Sequence, residues 1–249
     1  CTNECLSHDS FLEWEFTNNV TGRHYLLRDK LINWHDREAR LEIAFDVTER
    51  QREKESFRFL ADAGVATVDC IRALEGGPDS EGSVDEAMCI LGTFLEADRA
   101  YIFKSDGTLM SSAYEWCRAG VMSQKKILQD IPVRFIDQWA EHFVAGRAVV
   151  IKDIECLLEE RREDTYELLS GQDIRSLVVV ALEIDGEFVG YLGIDNPRHG
   201  ERLEIIEKPL LMLASFISAR MRHEAVQRRV AELTWRDPLT DTYSRAAFH

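Results

Sequence analysis

The sequence has few glycines and prolines, no long apolar run and no Cys-x-x-Cys pair. Its 249 residues include 14 glycines and 5 prolines, too few for a collagen-like or low-complexity chain. The longest apolar stretch, residues 177–182, is far shorter than the roughly 20 residues that a membrane helix needs. The 6 cysteines are scattered, which excludes the disulfide framework of a small secreted domain and favours a reducing, cytoplasmic setting.

Basic residues are also scarce. The 30 Lys and Arg residues against 45 Asp and Glu residues give a net charge of −15. A nucleic-acid surface needs clustered Lys and Arg, so we expect no nucleic-acid partner. Hydrophobic residues make up 45% of the chain and charged residues 30%, which is ordinary for a globular protein. The composition therefore indicates a globular protein with a solvated acidic surface.

Alternating apolar and polar residues at 11–46 predict three antiparallel strands with turns at 18–22 and 35–37. The expected meander has one apolar face, which is formed by Trp14, Phe16, Leu41, Ile43 and Phe45. Since the segment has no helix of its own to cover that face, we do not expect it to be a complete domain. A helix is predicted from residue 46 to about residue 74, beginning as a polar linker and then entering the next domain.

Residues 83–200 are predicted to form a single α+β domain. Ser83 and Glu86 make a capping-box pattern, which predicts the start of a helix. Strands at 100–104 and 108–116 flank an Asp-Gly turn, and a helix is expected over 157–171. A second hairpin at 176–195 has strands that are apolar on both faces, so we expect it in the middle of the sheet.

A heptad pattern occupies the helix predicted at 208–235. Its positions are Met212, Phe216, Ala219, His223, Val226, Val230 and Leu233. A second apolar stripe covers only the first half of the helix, at Leu210, Leu213, Ala214 and Ile217. We expect the first half to pack on its own domain and the second half to pair with a second copy, giving a parallel homodimer. The alternative is an amphipathic helix that folds back on its own domain.

Three segments resemble known families. The last stretch resembles the opening of GGDEF diguanylate cyclase domains, D-x-L-T-x-x-x-N-R-x-x-F, with Ser244 where Asn is usual. The matching residues are Asp237, Leu239, Thr240, Arg245 and Phe248. Residues 57–221 resemble a GAF domain in the motifs ADRAYIF (97–103), YEWC (114–117) and GYLGIDNPR (190–198). The first 46 residues resemble the C-terminal strands of a PAS domain, whose Asp-Ile-Thr exit motif is similar to FDVTER at 45–50.

The resemblance implies an α+β fold: a GAF-like antiparallel sheet with helices on its faces, a long C-terminal coiled-coil helix and a three-stranded PAS remnant. The implied division is a PAS part at 1–46, a linker helix at 47–56, a GAF domain at 57–207, a coiled-coil helix at 208–235 and the start of a truncated GGDEF domain at 236–249. The parent would be a PAS–GAF–GGDEF protein that makes cyclic di-GMP from GTP. This chain would be its cytoplasmic sensory and dimerisation module, without a catalytic core.

GAF domains hold small molecules between the sheet and the helices over one of its faces. The aromatic residues that could line such a pocket are Tyr101, Phe103, Tyr114, Trp116, Trp139 and Phe143. Gln129 and Arg134 could serve as its polar anchors. The alternative is a core that these rings fill themselves. The sequence identifies no cofactor, and the ligand of such a pocket stays unknown.

Three other chemistries have only partial motifs. Cys1, Cys5 and His8 could begin a zinc site, but a fourth ligand is missing, so we expect no metal. The tripeptide Asp-Ile-Pro at 130–132 resembles bilin-binding GAF domains, but no Cys-His pair follows it. Cys117 could be a nucleophile, as in GAF-like reductases of free methionine sulfoxide, although little positive charge flanks it. A small thiol enzyme is therefore the alternative function, and we expect no catalytic residue.

Overall fold

The computed structural model describes residues 5–76, 80–198 and 203–235. The contacts divide the chain into two units, one ending at Ala61 and the other beginning at Asp62. Across these ranges, no helix is both long enough and apolar enough to cross a bilayer. The GGDEF-like motif at 236–249 and the zinc candidate Cys1 lie outside the described residues.

The N-terminal unit contains an antiparallel sheet in the order β1-β2-β3. Its strands are β1 (Leu12–Asn18), β2 (Arg23–Trp34) and β3 (Arg37–Asp46). His35 and Asp36 alone connect β2 to β3, and their φ angles are +49° and +61°. A two-residue turn in the left-handed region suits the twist of paired strands. The predicted three-stranded meander is therefore confirmed.

The prediction that this sheet has one apolar face is wrong. Trp14 pairs with Leu27, and Leu27 pairs with Ala44. Residues that pair across two strands project from the same face of the sheet, and neighbours along one strand project from opposite faces. Trp14 and Phe16 therefore share a face with Ala44. The opposite face carries the other three predicted residues, Leu41, Ile43 and Phe45. The tight turn sets this register, which alternation within single strands does not reveal.

Helix α1 (Thr48–Gly76) begins two residues after β3 ends. The Asp46 carboxylate accepts hydrogen bonds from the Thr48 backbone N–H at 3.0 Å and from the Thr48 hydroxyl at 2.6 Å. These bonds satisfy a donor that the first turn of a helix leaves open. Further along, one face of α1 is buried, at Ala63, Ala66, Cys70 and Leu74. The helix predicted at 46–74 is confirmed.

Helix α2 (Ser80–Phe94) starts before Ser83, so the predicted capping box is wrong. Ser83 lies inside the helix and is buried. Near the other end of α2, Gly92 faces Trp116 of the sheet. A Cβ added at Gly92 would come within 2.1 Å of the Trp116 ring. Glycine is therefore required at this position for α2 to lie this close to the sheet.

The second unit has a six-stranded antiparallel sheet with the order β6-β5-β4-β9-β8-β7. The strands are β4 (Arg99–Ser105), β5 (Leu109–Cys117), β6 (Ile131–Pro132), β7 (Val149–Ile151), β8 (Leu177–Ile184) and β9 (Glu187–Asp195). β8 and β9 form a hairpin through Asp185 and Gly186, both with positive φ. The hairpin lies between β4 and β7, so its predicted central position is confirmed.

Short helices follow β6, and in one place two of them replace a longer helix that the sequence predicts. The first pair is a 3₁₀ helix (Val133–Trp139) that continues into α3 (Ala140–Val144). The second pair, α4 (Cys156–Glu159) and α5 (Glu163–Ser170), replaces the single helix expected at 157–171. Arg161 between them has a φ of +58°, a left-handed conformation that ends a helix. Apolar spacing continues across this break and therefore does not show it.

Helix α6 (Glu207–Trp235) packs on β8 through the first part of its length. The shorter apolar stripe is buried, as predicted, at Leu210, Leu213, Ala214 and Ile217. Four apolar residues of the heptad pattern are 42–57% exposed: Met212, Phe216, Val226 and Val230. The helix therefore presents one apolar face to its own domain and a second apolar face to solvent.

We expect truncations inside the β8–β9 hairpin to destabilise the second unit strongly. Val179 and Leu192 are 0% and 1% exposed. Their replacement by Ala should each lower the free energy of unfolding by about 2–4 kcal/mol, through lost burial and a residual cavity. Urea denaturation measures the effect, and Val144→Ala, at an 89% exposed position, is the control. A loss below about 0.5 kcal/mol for both hairpin variants would contradict the packing.

Candidate functional site

An aromatic cluster lies between the sheet and the helices that follow β6. Phe103 and Tyr191 are stacked with ring centroids 4.8 Å apart, and Trp139 meets Tyr191 edge-on at 6.0 Å. Tyr101 lies 6.3 Å from Tyr191, and Phe143 lies 6.3 Å from Trp139. All five residues are buried. Since these rings fill the space under the helices, a ligand at this place would have to displace them.

The structure separates the aromatic residues of the predicted pocket. Four belong to the cluster: Tyr101, Phe103, Trp139 and Phe143. Tyr114 and Trp116 pair across the strands with Ile102 and Ala100. Ile102 and Ala100 alternate with Tyr101 and Phe103, so Tyr114 and Trp116 project from the opposite face of the sheet. These two residues therefore line the α2 side of the sheet and do not face the cluster.

The two predicted polar anchors do not reach the cluster either. Gln129 Nε2 donates to the backbone oxygens of Ser112 at 3.0 Å and Lys125 at 2.5 Å, which fastens the loop after β5. The Arg134 guanidinium lies over the ring of Phe135, 5.7 Å from its centroid. Gln129 and Arg134 are both exposed. In this structure they stabilise surface loops.

Two features of the cluster were not predicted from the sequence. Tyr191 faces the cluster because it pairs with Phe103, a relation that only the β4–β9 register shows. Trp139 Nε1 is buried and has no hydrogen-bond partner among the described residues. A buried donor without a partner costs about 1–3 kcal/mol. The cluster therefore has the capacity to donate one hydrogen bond to an acceptor from outside.

A buried ion pair joins β4 to the end of β9. The Arg99 guanidinium donates to Asp195 Oδ2 at 3.3 Å, and the Tyr101 hydroxyl donates to Asp195 Oδ1 at 2.8 Å. Arg99 also donates to the carbonyl oxygens of Met122 at 3.3 Å and Gln172 at 3.1 Å. Arg99 and Asp195 are 4% and 1% exposed. One arginine therefore ties two loops and the last residue of β9 together.

Asn196 extends this polar network beyond the end of β9. Its side-chain oxygen accepts hydrogen bonds from the backbone N–H groups of Arg175 at 2.7 Å and Ser176 at 3.1 Å. Its amide nitrogen donates to the Asp98 carboxylate and to the Asp173 carbonyl, both at 2.8 Å. Asp98 and Asn196 come from the two motifs, at 97–103 and 190–198, that carry most of the GAF resemblance. The sequence did not predict that these motifs meet in one network.

Both acidic groups beside Arg99, the Asp195 carboxyl and the Tyr101 hydroxyl, have raised pKa values. Burial raises the pKa of Asp195 to about 7, although the hydrogen bond from Tyr101 and the charge of Arg99 lower it. Burial and the nearby Asp195 carboxylate also raise the pKa of Tyr101 well above its ordinary value. Burial therefore holds the pKa of the Asp195 carboxyl above the ordinary carboxyl range, even beside Arg99.

The thiols do not have the surroundings of nucleophiles. Burial, with the adjacent Glu115 carboxylate, raises the pKa of Cys117 to about 11. Burial raises the pKa of Cys70 to about 12, and burial with acidic neighbours raises that of Cys156. A reactive thiolate needs a lowered pKa. Over the described ranges, no three His, Cys, Asp or Glu side chains are placed to hold a metal ion.

Comparison with known proteins identifies the second unit. A family model for the GAF domain matches residues 79–220, more than half of the chain. The chain is 28% identical over 164 residues to the methanogenesis regulatory histidine kinase FilI of Methanothrix harundinacea. That match covers 61% of this chain and 18% of the kinase, so the chain spans less than a fifth of this relative's length.

Solved structures share the fold at low sequence identity. The chromophore-binding domain of a Stigmatella aurantiaca bacteriophytochrome has a TM-score of 0.53 at 16% identity, over 85% of this chain and 73% of that chain. The GAF domain of a phosphoenolpyruvate-protein phosphotransferase from Coxiella burnetii has a TM-score of 0.51 at 13% identity. The match covers 68% of this chain and 98% of that chain. The chain belongs to the GAF domain family, and it contains a GAF sensory domain with that family's mixed α+β fold.

We expect the Asp195 carboxyl to titrate near pH 7 in the folded protein. Its folded pKa is raised to about 7 from an ordinary value of 3.8, so folding favours the protonated form. Its contribution to stability is therefore complete below about pH 4 and is lost as the pH rises through about 7. Carbon-13 NMR of the carboxyl group, assigned with Asp195→Asn, measures the midpoint. A midpoint below about 4 would show that the Arg99 charge outweighs burial.

We expect Cys117 to be unreactive. With its pKa raised to about 11, the Cys117 side chain is a thiol at neutral pH and should react slowly with a disulfide reagent. Mass spectrometry of the modified protein should show the exposed Cys89 labelled before Cys117. The chain should not reduce methionine sulfoxide. Rapid labelling of Cys117, together with reductase turnover that disappears in Cys117→Ser, would overturn this expectation.

Proposed function

We propose that the chain is the sensory and dimerisation module of a cytoplasmic signal-transduction protein, and that α6 relays its signal to an output domain. The observation that carries this proposal is that α6 has two apolar faces. One face is buried on the domain at Leu213 and Ile217, and the other is exposed at Phe216 and Val226. A helix of this kind is suited to connect a sensory domain to a second copy of the same helix.

The proposed organisation follows the resemblance. Residues 1–46 are the C-terminal part of a PAS domain, 47–56 are a linker helix and 57–207 are the GAF domain. Residues 208–235 are a signalling helix, and 236–249 begin a GGDEF domain. The three-stranded sheet of the N-terminal unit supports the first assignment, and the position of α6 directly before residue 236 supports the last two.

The dimer is proposed to be parallel, with the heptad face of α6 as its seam. The seam positions are Met212, Phe216, Ala219, His223, Val226, Val230 and Leu233; the side chain of Leu233 is outside the described part of the structure. Heptad spacing over three repeats gives knobs-into-holes packing between identical helices. Burying the exposed apolar side chains removes them from water at roughly 25 cal/mol per Å². The seam thus explains apolar residues that the second unit leaves exposed.

His223 is proposed to make the seam sensitive to pH. Its Nε2 accepts a hydrogen bond from Gln227 Nε2 at 2.8 Å, which requires that nitrogen to be unprotonated. Protonation removes this acceptor. In a parallel dimer it also places two positive charges opposite each other at the seam. The seam should therefore loosen when His223 is protonated in acid.

A diguanylate cyclase is the output that we propose, because the Asp-x-Leu-Thr motif at 237–240 comes directly after α6. Joining two GTP molecules into cyclic di-GMP requires two cyclase domains to meet, which a parallel seam provides. A histidine kinase is a second candidate, favoured by the 28% identity to a regulatory histidine kinase. The parent protein distinguishes them: a cyclase forms cyclic di-GMP from GTP, whereas a kinase transfers phosphate from ATP to a histidine.

The aromatic cluster is the proposed ligand site of the GAF domain. Trp139 Nε1 supports it, because this buried donor has no partner in the described part of the chain and could bond to an acceptor on a ligand. Close packing of the five rings indicates that a ligand opens the cluster as it binds. Native mass spectrometry of the purified chain tests this proposal by detecting molecules that copurify. A thiol-dependent enzyme is disfavoured by the raised pKa of Cys117.

We expect the whole chain to form a dimer that seam charges disrupt. Phe216→Glu and Val226→Glu should each weaken the dimer at least about tenfold, because each places a carboxylate in an apolar seam. Ala225→Glu is the matched control, since residue 225 is exposed and outside the seam positions. Sedimentation velocity over a range of concentrations measures the dissociation constant.

The same measurement tests His223. His223→Leu should tighten the dimer and reduce its weakening in acid. A monomer at every concentration up to high micromolar would reject the dimer and the relay with it. A dimer whose pH profile is unchanged by His223→Leu would place this histidine outside the seam.

A further inference from the structure

A cavity lies beside the first half of α6. Its volume is about 560 Å³, which is within the usual range of small-molecule sites. Three parts of the second unit form it: the first half of α6, the β8–β9 hairpin and the turn after α3. Its apolar lining includes Phe143, Ala181, Leu211 and Ala214. Phe143 belongs to the aromatic cluster and Ala181 packs against the core around it, so the cavity borders the cluster.

Charged groups of both signs line this cavity: Arg147, Arg222, Glu183 and Asp185. Arg222 and Asp185 bind each other, with the guanidinium 2.5 Å from Asp185 Oδ1. Within the described ranges, the side chains of Arg147 and Glu183 take part in no ion pair or hydrogen bond. One guanidinium and one carboxylate are therefore available to a bound molecule.

Ser218 adds a buried polar group to the lining. It is 7% exposed, and its Oγ accepts a hydrogen bond from the backbone N–H of Glu183 at 3.1 Å. That bond occupies an acceptor site of the hydroxyl and leaves its proton free to donate. Ser218 on α6 and Arg147 in the turn after α3 therefore both offer hydrogen-bond donors to the cavity.

From this arrangement we infer that the cavity binds a small zwitterion with an apolar side chain, a molecule of the class of free apolar amino acids. The carboxylate of the ligand pairs with Arg147 and the Ser218 hydroxyl, and its ammonium group pairs with Glu183. The side chain lies on Phe143. A ligand with only a negative charge would face the unpaired Glu183 carboxylate, and one with only a positive charge would face Arg147.

The expected affinity is modest. Single ion pairs near the surface contribute little, so the two charges and the apolar contact have to act together. A dissociation constant between roughly 10 µM and 1 mM is expected. Binding itself does not depend on the proposed function. Only the consequence, that a bound molecule holds α6 against the β8–β9 hairpin, rests on the proposed relay.

Titration calorimetry of the whole chain tests the inference, with L-leucine and L-phenylalanine as probes. Both should bind. N-acetyl-L-phenylalanine lacks the positive charge and L-phenylalanine amide lacks the carboxylate, so each should bind at least about tenfold more weakly. Absence of saturable binding by both amino acids up to about 10 mM would overturn the inference. If N-acetyl-L-phenylalanine or L-phenylalanine amide bound as tightly as L-phenylalanine, that result would also overturn the inference.

Matched variants locate the site. Arg147→Ala and Glu183→Gln should each weaken binding at least about tenfold. The controls, Arg58→Ala and Glu187→Gln, change exposed residues outside the cavity lining and should bind as the unaltered chain does. Thermal unfolding followed by circular dichroism verifies that all four variants are folded. Binding that survives both Arg147→Ala and Glu183→Gln would show that the amino acids bind elsewhere and would contradict the assignment.

Discussion

The buried Arg99–Asp195 ion pair is the interaction on which the rest of the GAF domain depends. Moving two charges out of water costs several kcal/mol per ion unless hydrogen bonds surround them. Here the Tyr101 hydroxyl and the carbonyls of Met122 and Gln172 surround them. Loss of Asp195 would leave the buried Arg99 charge unpaired, at about 3–5 kcal/mol, and loss of Arg99 would release two loops at once. The ion pair therefore fixes the end of β9 from which the chain continues toward α6.

Helix α6 links this fixed part of the domain to the proposed dimer. Its buried apolar stripe ends at Ile217, and beyond it Ala219, Val226 and Val230 are exposed. The cavity with Arg147 and Glu183 borders the packed half. A ligand there, or a rearrangement of the aromatic cluster, would act on the part of the helix that the domain holds. Small displacements of packed helices at such positions can reorganise a partner interface.

Hydrophobic periodicity predicted the elements well, because alternation and helical spacing decide which side chains enter the core. It predicted the β8–β9 hairpin and the two stripes of α6. It could not predict strand register, so Trp14 and Ile43 were placed on one face although the short turn at 35–36 separates them. The same limitation placed Trp116 in a pocket with Tyr101. Arg99 and Asp195 are 96 residues apart, and no local pattern shows that two such charges pair.

The proposed pairing of α6 with a parallel partner helix is tested most directly by pulsed electron spin resonance. A nitroxide is attached at Arg220 in one sample and at Gln227 in another, in a chain whose cysteines are replaced by serine. Helix axes in a coiled coil are about 8–10 Å apart, so both samples should give distances below about 30 Å between the two labels. Short distances at both positions would support a seam between the two α6 helices. A long distance or no dipolar signal at either position would contradict it.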